Sequence, residues 1–374
     1  MKAGKGFGKE KDIFGKKGQI TVFIIIGIII LGGVGIYSAV RRGSIEGELS
    51  AEMESMLEEV PVEFAPADLF IRECVSKIAE EGIREMGNQG GFIRPSRYGI
   101  SAAEEPTGSN AAKLNPEGER IVAYWQYLES PNNCGGGCSI VDVPGNRLFL
   151  YKKDGSPSIE GQLEEHINEN LDACLDDFKA LKEMGFSVEK LGEISTRAGV
   201  QEEEVLVLVE YPLEFSRAGK KELSRFFVRI PVNLKKIYEL SNEVVALQGN
   251  YRYLENYLEE LIVGFSGVKT EMLPPMHETI VGFDSATWEV EDVKNNLIWM
   301  LSSYIRTLKV SNTANYQLYD RQTSLGNAIY NSGMTIPVEG SYEDLNINLA
   351  YYPDWWGMYF NIDCDGTCRA ESFS

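Results

Sequence analysis

Asn361-Ile-Asp363-Cys-Asp365-Gly366-Thr367 puts an oxygen-bearing side chain at every second position ahead of a glycine. That arrangement opens an aspartate-rich calcium loop, in which alternate oxygens converge on a hard cation and glycine allows the sharp turn. Asn361, Asp363 and Asp365 are the candidate calcium ligands, and calcium is the one cofactor the sequence suggests. The second half of such a loop departs from the pattern: the twelfth position, which calls for a bidentate Glu, is Ser372, with Glu371 one place early. The competing reading is a polar hairpin tip beside a disulfide.

The six cysteines form a second set with chemical potential: Cys74, Cys134, Cys138, Cys174, Cys364 and Cys368. All follow a long apolar segment, and their number is even, as a disulfide framework outside the cell requires. Cys74 and Cys174 each fall on the apolar face of an expected helix, so a helix-to-helix cystine is expected; two buried thiols are the alternative. Cys134-Gly-Gly-Gly-Cys138 and Cys364-Asp-Gly-Thr-Cys368 could each close on themselves. Together they could also supply four thiolates to a tetrahedral zinc, but an oxidising exterior and the three-residue gap favour disulfides.

Little else has the makings of a catalytic centre. The two histidines, His166 and His277, stand in no metalloprotease, Ser-His-Asp or Cys-His context. There is no Walker A loop, dinucleotide fingerprint or nucleophile elbow. Acidic residues are too numerous for any one pair to be singled out as a glycosidase acid and base. Trp355-Trp356 with Tyr351, Tyr352 and Tyr359 reads either as an aromatic platform or, preferentially, as the apolar side of a strand pair. The chain is therefore read as non-enzymatic.

Charge narrows the partners. Residues 1–42 hold eight basic and two acidic residues, and the other 332 hold 28 basic against 54 acidic, a net −26. Such a surface repels phosphate backbones, so nucleic acid is excluded as a partner, and basic partners or cations fit better.

Residues 20–40, ITVFIIIGIIILGGVGIYSAV, are 21 uncharged residues. At 1.5 Å per residue they cross roughly 30 Å of hydrocarbon. In lipid the backbone can satisfy its hydrogen bonds only as a helix, whatever the propensity of its Ile and Val residues. Lys16 and Lys17 stand directly before the run, with four more lysines upstream, so the amino terminus is expected in the cytoplasm. The run is longer than the core of a cleaved secretory signal, and no convincing small-residue cleavage site follows it.

Lys16-Lys17-Gly18-Gln19-Ile20-Thr21 lies immediately before this helix rather than after it, and resembles the class III signal peptide of archaeal type IV pilin-like proteins. The resemblance implies a prepilin-type peptidase as a partner, cutting between Gly18 and Gln19 and leaving the apolar helix on the mature chain. It also implies self-association through that helix. The fifth mature position, Glu in the family, is Phe23 here. The rest of the chain is similar to uncharacterised single-span archaeal surface proteins.

Beyond an acidic, helical or flexible stalk, periodicity expects a helix through Ile71, Cys74, Val75, Ile78, Gly82 and Met86, stopping at Gly87. A strand is expected over Arg120–Leu128, and a hairpin joining Val141–Val143 to Leu148–Tyr151 across Pro144-Gly145-Asn146. A second helix is expected over Ser158–Met184, closed by Gly185. Val205–Phe215 and Phe226–Val232 read as a hairpin across Arg217–Lys220. A long helix from Asn233 to Val263 carries a break at Gly249-Asn250, and another helix covers Val293–Leu308. Alternation at Leu345, Ile347, Leu349 and Tyr351 predicts a late strand, with Trp355–Phe360 returning beside it.

Helices and hairpins without a βαβ rhythm predict an α+β ectodomain with antiparallel sheet behind one transmembrane helix. The organisation read is 1–18 basic cytoplasmic segment, 19–42 transmembrane helix, 43–65 stalk, 66–264 α+β domain and 265–374 second subdomain. The function read is a membrane-anchored cell-surface protein with a binding, adhesion or envelope-structural role. A pilin-like filament subunit and a tethered extracellular hydrolase are the alternatives.

Overall fold

The computed structural model describes residues 59–102, 110–113, 120–128, 140–142, 146–153, 155–265, 280–281, 285–314, 334–349, 351 and 367–371. Within them the chain is α+β, and its main sheet is antiparallel. No helix among these residues is long and apolar enough to cross a membrane; residues 20–40 lie outside them.

Helix α1 (Ala65–Asn88) starts with Pro66 in its first turn, where a missing N–H costs nothing, and with Asp68 near the positive end of the dipole. Its buried face is Ala67, Ile71, Cys74, Val75, Ile78, Ala79, Gly82 and Met86. The helix runs just past Gly87, and the chain turns instead at Gly90 and Gly91, at φ +66° and +93°. Gly90 also lies so close to the backbone of Ala123 that a β-carbon would stand 2.7 Å from its carbonyl oxygen.

Four short strands follow: β1 (Ala111–Lys113), β2 (Ile121–Ala123), β3 (Gln126–Leu128) and β4 (Ile140–Asp142), paired β1 with β2 and β3 with β4. The single strand expected over 120–128 is thus two, because its halves take different partners. Among the described residues the hairpin expected across Pro144 has no ladder: Ile140–Asp142 pairs back with Gln126–Leu128. The segment after it serves a helix instead. Phe149 O accepts from Ile159 N at 2.8 Å and Leu150 O from Glu160 N at 3.3 Å, taking two donors that a helix start leaves orphaned.

That helix is α2 (Ile159–Leu175), capped by Ser158, whose Oγ accepts Gly161 N at 3.1 Å. It does not reach Met184 as one piece. Asp176, Asp177 and Phe178 all take positive φ, at 44°, 51° and 56°, and a short α3 (Lys179–Glu183) follows. Each left-handed residue costs about 1–2 kcal/mol. The bend leaves both Phe178 and Leu181 buried in the core.

The main sheet comprises β5 (Ser187–Lys190), β6 (Ser195–Val200), β7 (Val205–Ser216) and β8 (Lys220–Ile230). β7 is its spine: β8 runs along one side, and β6 and then β5 along the other, all antiparallel. The odd-numbered residues of β7 from Val205 to Phe215 join the buried faces of α1 and α2 in the principal core. A register shift falls between Glu210 and Leu213, around Pro212, which cannot donate to a ladder; its carbonyl accepts from Leu191 N at 2.9 Å.

A second apolar cluster is built on α4 (Leu234–Tyr251) and α5 (Tyr253–Phe265), which meet at a left-handed Arg252. After β9 (Ile280–Val281) and β10 (Ser285–Glu289) comes α6 (Val290–Tyr304), then β11 (Lys309–Val310), parallel to β12 (Thr335–Ile336), and β13 (Thr367–Glu371), antiparallel to β10. Leu240, Tyr257, Leu308, Val310, Ile336 and Tyr342 form the centre of this cluster. Leu345, Ile347, Leu349 and Tyr351 pack against it without forming the late strand their alternation predicts. Their apolar side is used, and the Leu345 carbonyl accepts from Ala314 N at 2.8 Å; Trp355–Phe360, expected beside them, lies outside the described residues.

Candidate functional site

The candidate calcium ligands Asn361, Asp363 and Asp365 lie outside the described residues, as do Gly18, Gln19, Cys134, Cys138, Cys364, His277 and Trp355–Phe360. Cys368 lies on β13 opposite Trp288. Among the described residues no group of three or more His, Cys, Asp or Glu is placed to hold a metal.

The expected pair Cys74–Cys174 is a disulfide, with Cα atoms 5.8 Å apart at a sequence separation of 100. It ties α1 to α2, which run antiparallel. Eight residues further along α1, and eight back along α2, Gly82 meets His166. A β-carbon on Gly82 would lie 2.9 Å from the imidazole Cδ2 and 3.1 Å from Leu163. The ring is half-buried rather than set on the solvent face. Burial and the neighbouring Arg94 guanidinium hold its pKa below the ordinary histidine value. Asn170 Nδ2 lies 3.3 Å from Nδ1.

Arg94, Arg97, Tyr98 and Gln162 line a small cavity with His166, Glu165 and Glu169. It leaves room for about one water molecule. Arg97 bridges Glu165 at 2.7 Å and Glu169 at 2.8 Å, and Arg94 also pairs with Glu169. The Arg97 hydrogen bond lowers the Glu169 pKa. Two cations and two anions neutralise one another, so this spot has no net charge with which to attract an ion. Gln162 is buried: its Oε1 accepts Ile93 N at 3.2 Å and its Nε2 donates to Gly91 O at 3.2 Å.

On the neighbouring face of α2 two buried carboxylates are aimed at the sheet. Glu160 Oε1 accepts Val200 N at 3.0 Å and its Oε2 accepts Lys152 N at 2.8 Å. Glu164 Oε1 accepts Ala198 N at 3.1 Å and its Oε2 takes Lys152 Nζ at 2.5 Å. The match is geometric: four helical residues advance about 6 Å and two strand residues about 6.6–6.8 Å, so carboxylates at i and i+4 meet amides at j and j+2. Burial raises the Glu160 pKa, against the amides of Val200 and Lys152, which pull it down.

On the opposite side Arg72 of α1 donates from Nη1 to Phe227 O of β8 at 3.0 Å while paired with Asp68 at 2.8 Å. None of Glu160, Glu164 and Arg72 stands out in the sequence. A Glu-x-x-x-Glu pair on an expected helix is the only signal, and a chain with 56 acidic residues offers many such pairs.

A larger cleft among the described residues, about 410 Å³, lies between Glu80, Ile83 and Arg84 of α1 and Ile230, Pro231 and Val232. Its lining holds one carboxylate and one guanidinium and no hydroxyl, thiol or imidazole side chain. Compared with protein-family models, with characterised proteins and with solved structures, the chain matches none.

Proposed function

We propose that this chain is a single-span membrane protein displaying an acidic, disulfide-tied α+β domain on the outside of the cell, in a non-enzymatic binding, adhesion or envelope-structural role. The observation that carries this is the Cys74–Cys174 bond in the core seam. Such bonds persist chiefly where the surroundings are oxidising, and here one follows a 21-residue apolar run with lysines before it.

The test is labelling of intact cells with a membrane-impermeant amine reagent, followed by peptide mapping. Labelled lysines beyond residue 42, with Lys2 to Lys17 reached only after lysis, is the expected pattern; the reverse would sink the topology. A filament-forming variant of this reading is favoured by Lys16-Lys17-Gly18-Gln19 alone. Amino-terminal sequencing of the protein from native membranes decides it: a mature chain beginning at Gln19 supports the pilin-like route, and retention of residues 1–18 removes it.

A further inference from the structure

The main sheet has two long edges, β6 and β8, each paired with β7 alone among the described residues. An uncovered edge is a template for strand addition, and covering it with a helix is one established remedy. Here side chains of the helix pair meet two amides on β6 and one carbonyl on β8, each matched to the group it meets. The outward amides of Ala198 and Val200 on β6 receive the carboxylates of Glu164 and Glu160 from α2. The outward carbonyl of Phe227 on β8 receives the Arg72 guanidinium from α1. Cys74–Cys174 then joins the two helices covalently.

We infer that α1 and α2 act as a coupled guard that keeps copies of this chain, crowded together on one membrane surface, from joining through their sheet edges, and that β6 is the edge a second copy would take if the guard were released. β6 is suited to self-pairing. Set antiparallel with Ala198 opposite its own counterpart, it puts Arg197 across from Gly199 and Thr196 across from Val200, so no like charges face each other. The amides of Ala198 and Val200 that Glu164 and Glu160 now occupy would be the ones exchanged in that register. The crowding rests on the proposed surface location; the guard itself is a matter of packing and is tested separately from topology.

The experiment uses the full chain in detergent micelles, comparing wild type with Glu160→Ala/Glu164→Ala and with the milder single substitutions Glu160→Ala and Glu164→Ala. Amide exchange at Ala198 and Val200 is followed by mass spectrometry, and particle mass by light scattering over a range of concentrations. Loss of one such hydrogen bond is expected to speed local exchange roughly tenfold. In the variants, exchange at these amides should accelerate in dilute samples, mass should grow with concentration beyond that of wild type, and protection should return in the associated form. Fast exchange with a wild-type mass at every concentration would overturn the guard. So would amides that stay protected without the carboxylates. If the alanine pair does not fold, the single alanine variants, each of which removes one of the two acceptors, decide by the same readings.

Discussion

The imidazole of His166 on α2 lies against the bare Cα of Gly82 on α1, with Cδ2 2.9 Å from where a β-carbon would stand. The helices come this close because one of them has no side chain at the contact.

Substituting Gly82 therefore tests the seam. Ala is the better helix former by about 1 kcal/mol, yet Gly82→Ala should destabilise the domain by about 1–3 kcal/mol through overpacking. Gly87 is the control, since nothing lies within 4 Å of its added carbon. Gly87→Ala should stabilise by up to about 1 kcal/mol. Urea unfolding of the two variants side by side should move the midpoint in opposite directions; equal stabilisation would mean the helices can part to admit a methyl group.

The Cys74–Cys174 bond closes a loop of about 100 residues, for which chain entropy alone is worth about 4–5 kcal/mol. Cys74→Ala/Cys174→Ala should lower the thermal midpoint accordingly, and reductant should lower the wild type but leave the variant where it is. A wild type insensitive to reductant in the unfolding transition would contradict this.

Two groups should tilt stability with pH in opposite senses. Glu160 is held above the ordinary carboxyl value by burial, so its contribution is fully present below about pH 4.3 and fades as pH rises through the raised value. His166 is held below its ordinary value by burial and Arg94, so its contribution is present above about pH 6.5 and fades as pH falls through the lowered value. Denaturation curves taken from about pH 4 to pH 8 should show His166→Gln resisting mild acid better than wild type, relative to its own stability at neutral pH. Glu160→Gln should flatten the decline on the alkaline side of the Glu160 titration. Parallel curves for all three proteins would refute both assignments.

Glu243 on α4 ties down the segment after β12. It accepts from Glu339 N, from Gly340 N at 3.4 Å and from the Tyr342 hydroxyl at 3.0 Å, while Asp344 takes Asn233 at 2.6 Å and Lys236 at 3.0 Å. Hydrogen bonds to a charged acceptor are each worth about 1.5–3 kcal/mol where buried. Glu243→Ala should cost about 2 kcal/mol and speed exchange at the amides of Glu339 and Gly340, with β6 and β7 unaffected. Faster exchange throughout the domain would mean the two apolar clusters unfold together.

Amphipathic period carries the main elements: the stripe Ile71–Met86 forms α1, Val205–Phe215 and Phe226–Ile230 meet across the turn at Arg217–Lys220, and Cys74 and Cys174 share the interior. These rest on local spacing, because a face of one period has only one way to be buried. The apolar run at 20–40 and the lysines before it are likewise read from composition alone.

Other features depend on partners remote in sequence. β5 and β6 carry little apolar signal and exist because β7 is long enough to take both along one side. Residues 148–151 have the sequence of a strand, but the carbonyls of Phe149 and Leu150 go to the start of α2 and that of Leu148 to the Tyr238 hydroxyl. Glu160 and Glu164 look like two more solvated acids until Ala198 and Val200 arrive at the matching spacing. A buried polar group takes its meaning from what it bonds to, and tertiary structure alone decides which amides stand opposite it.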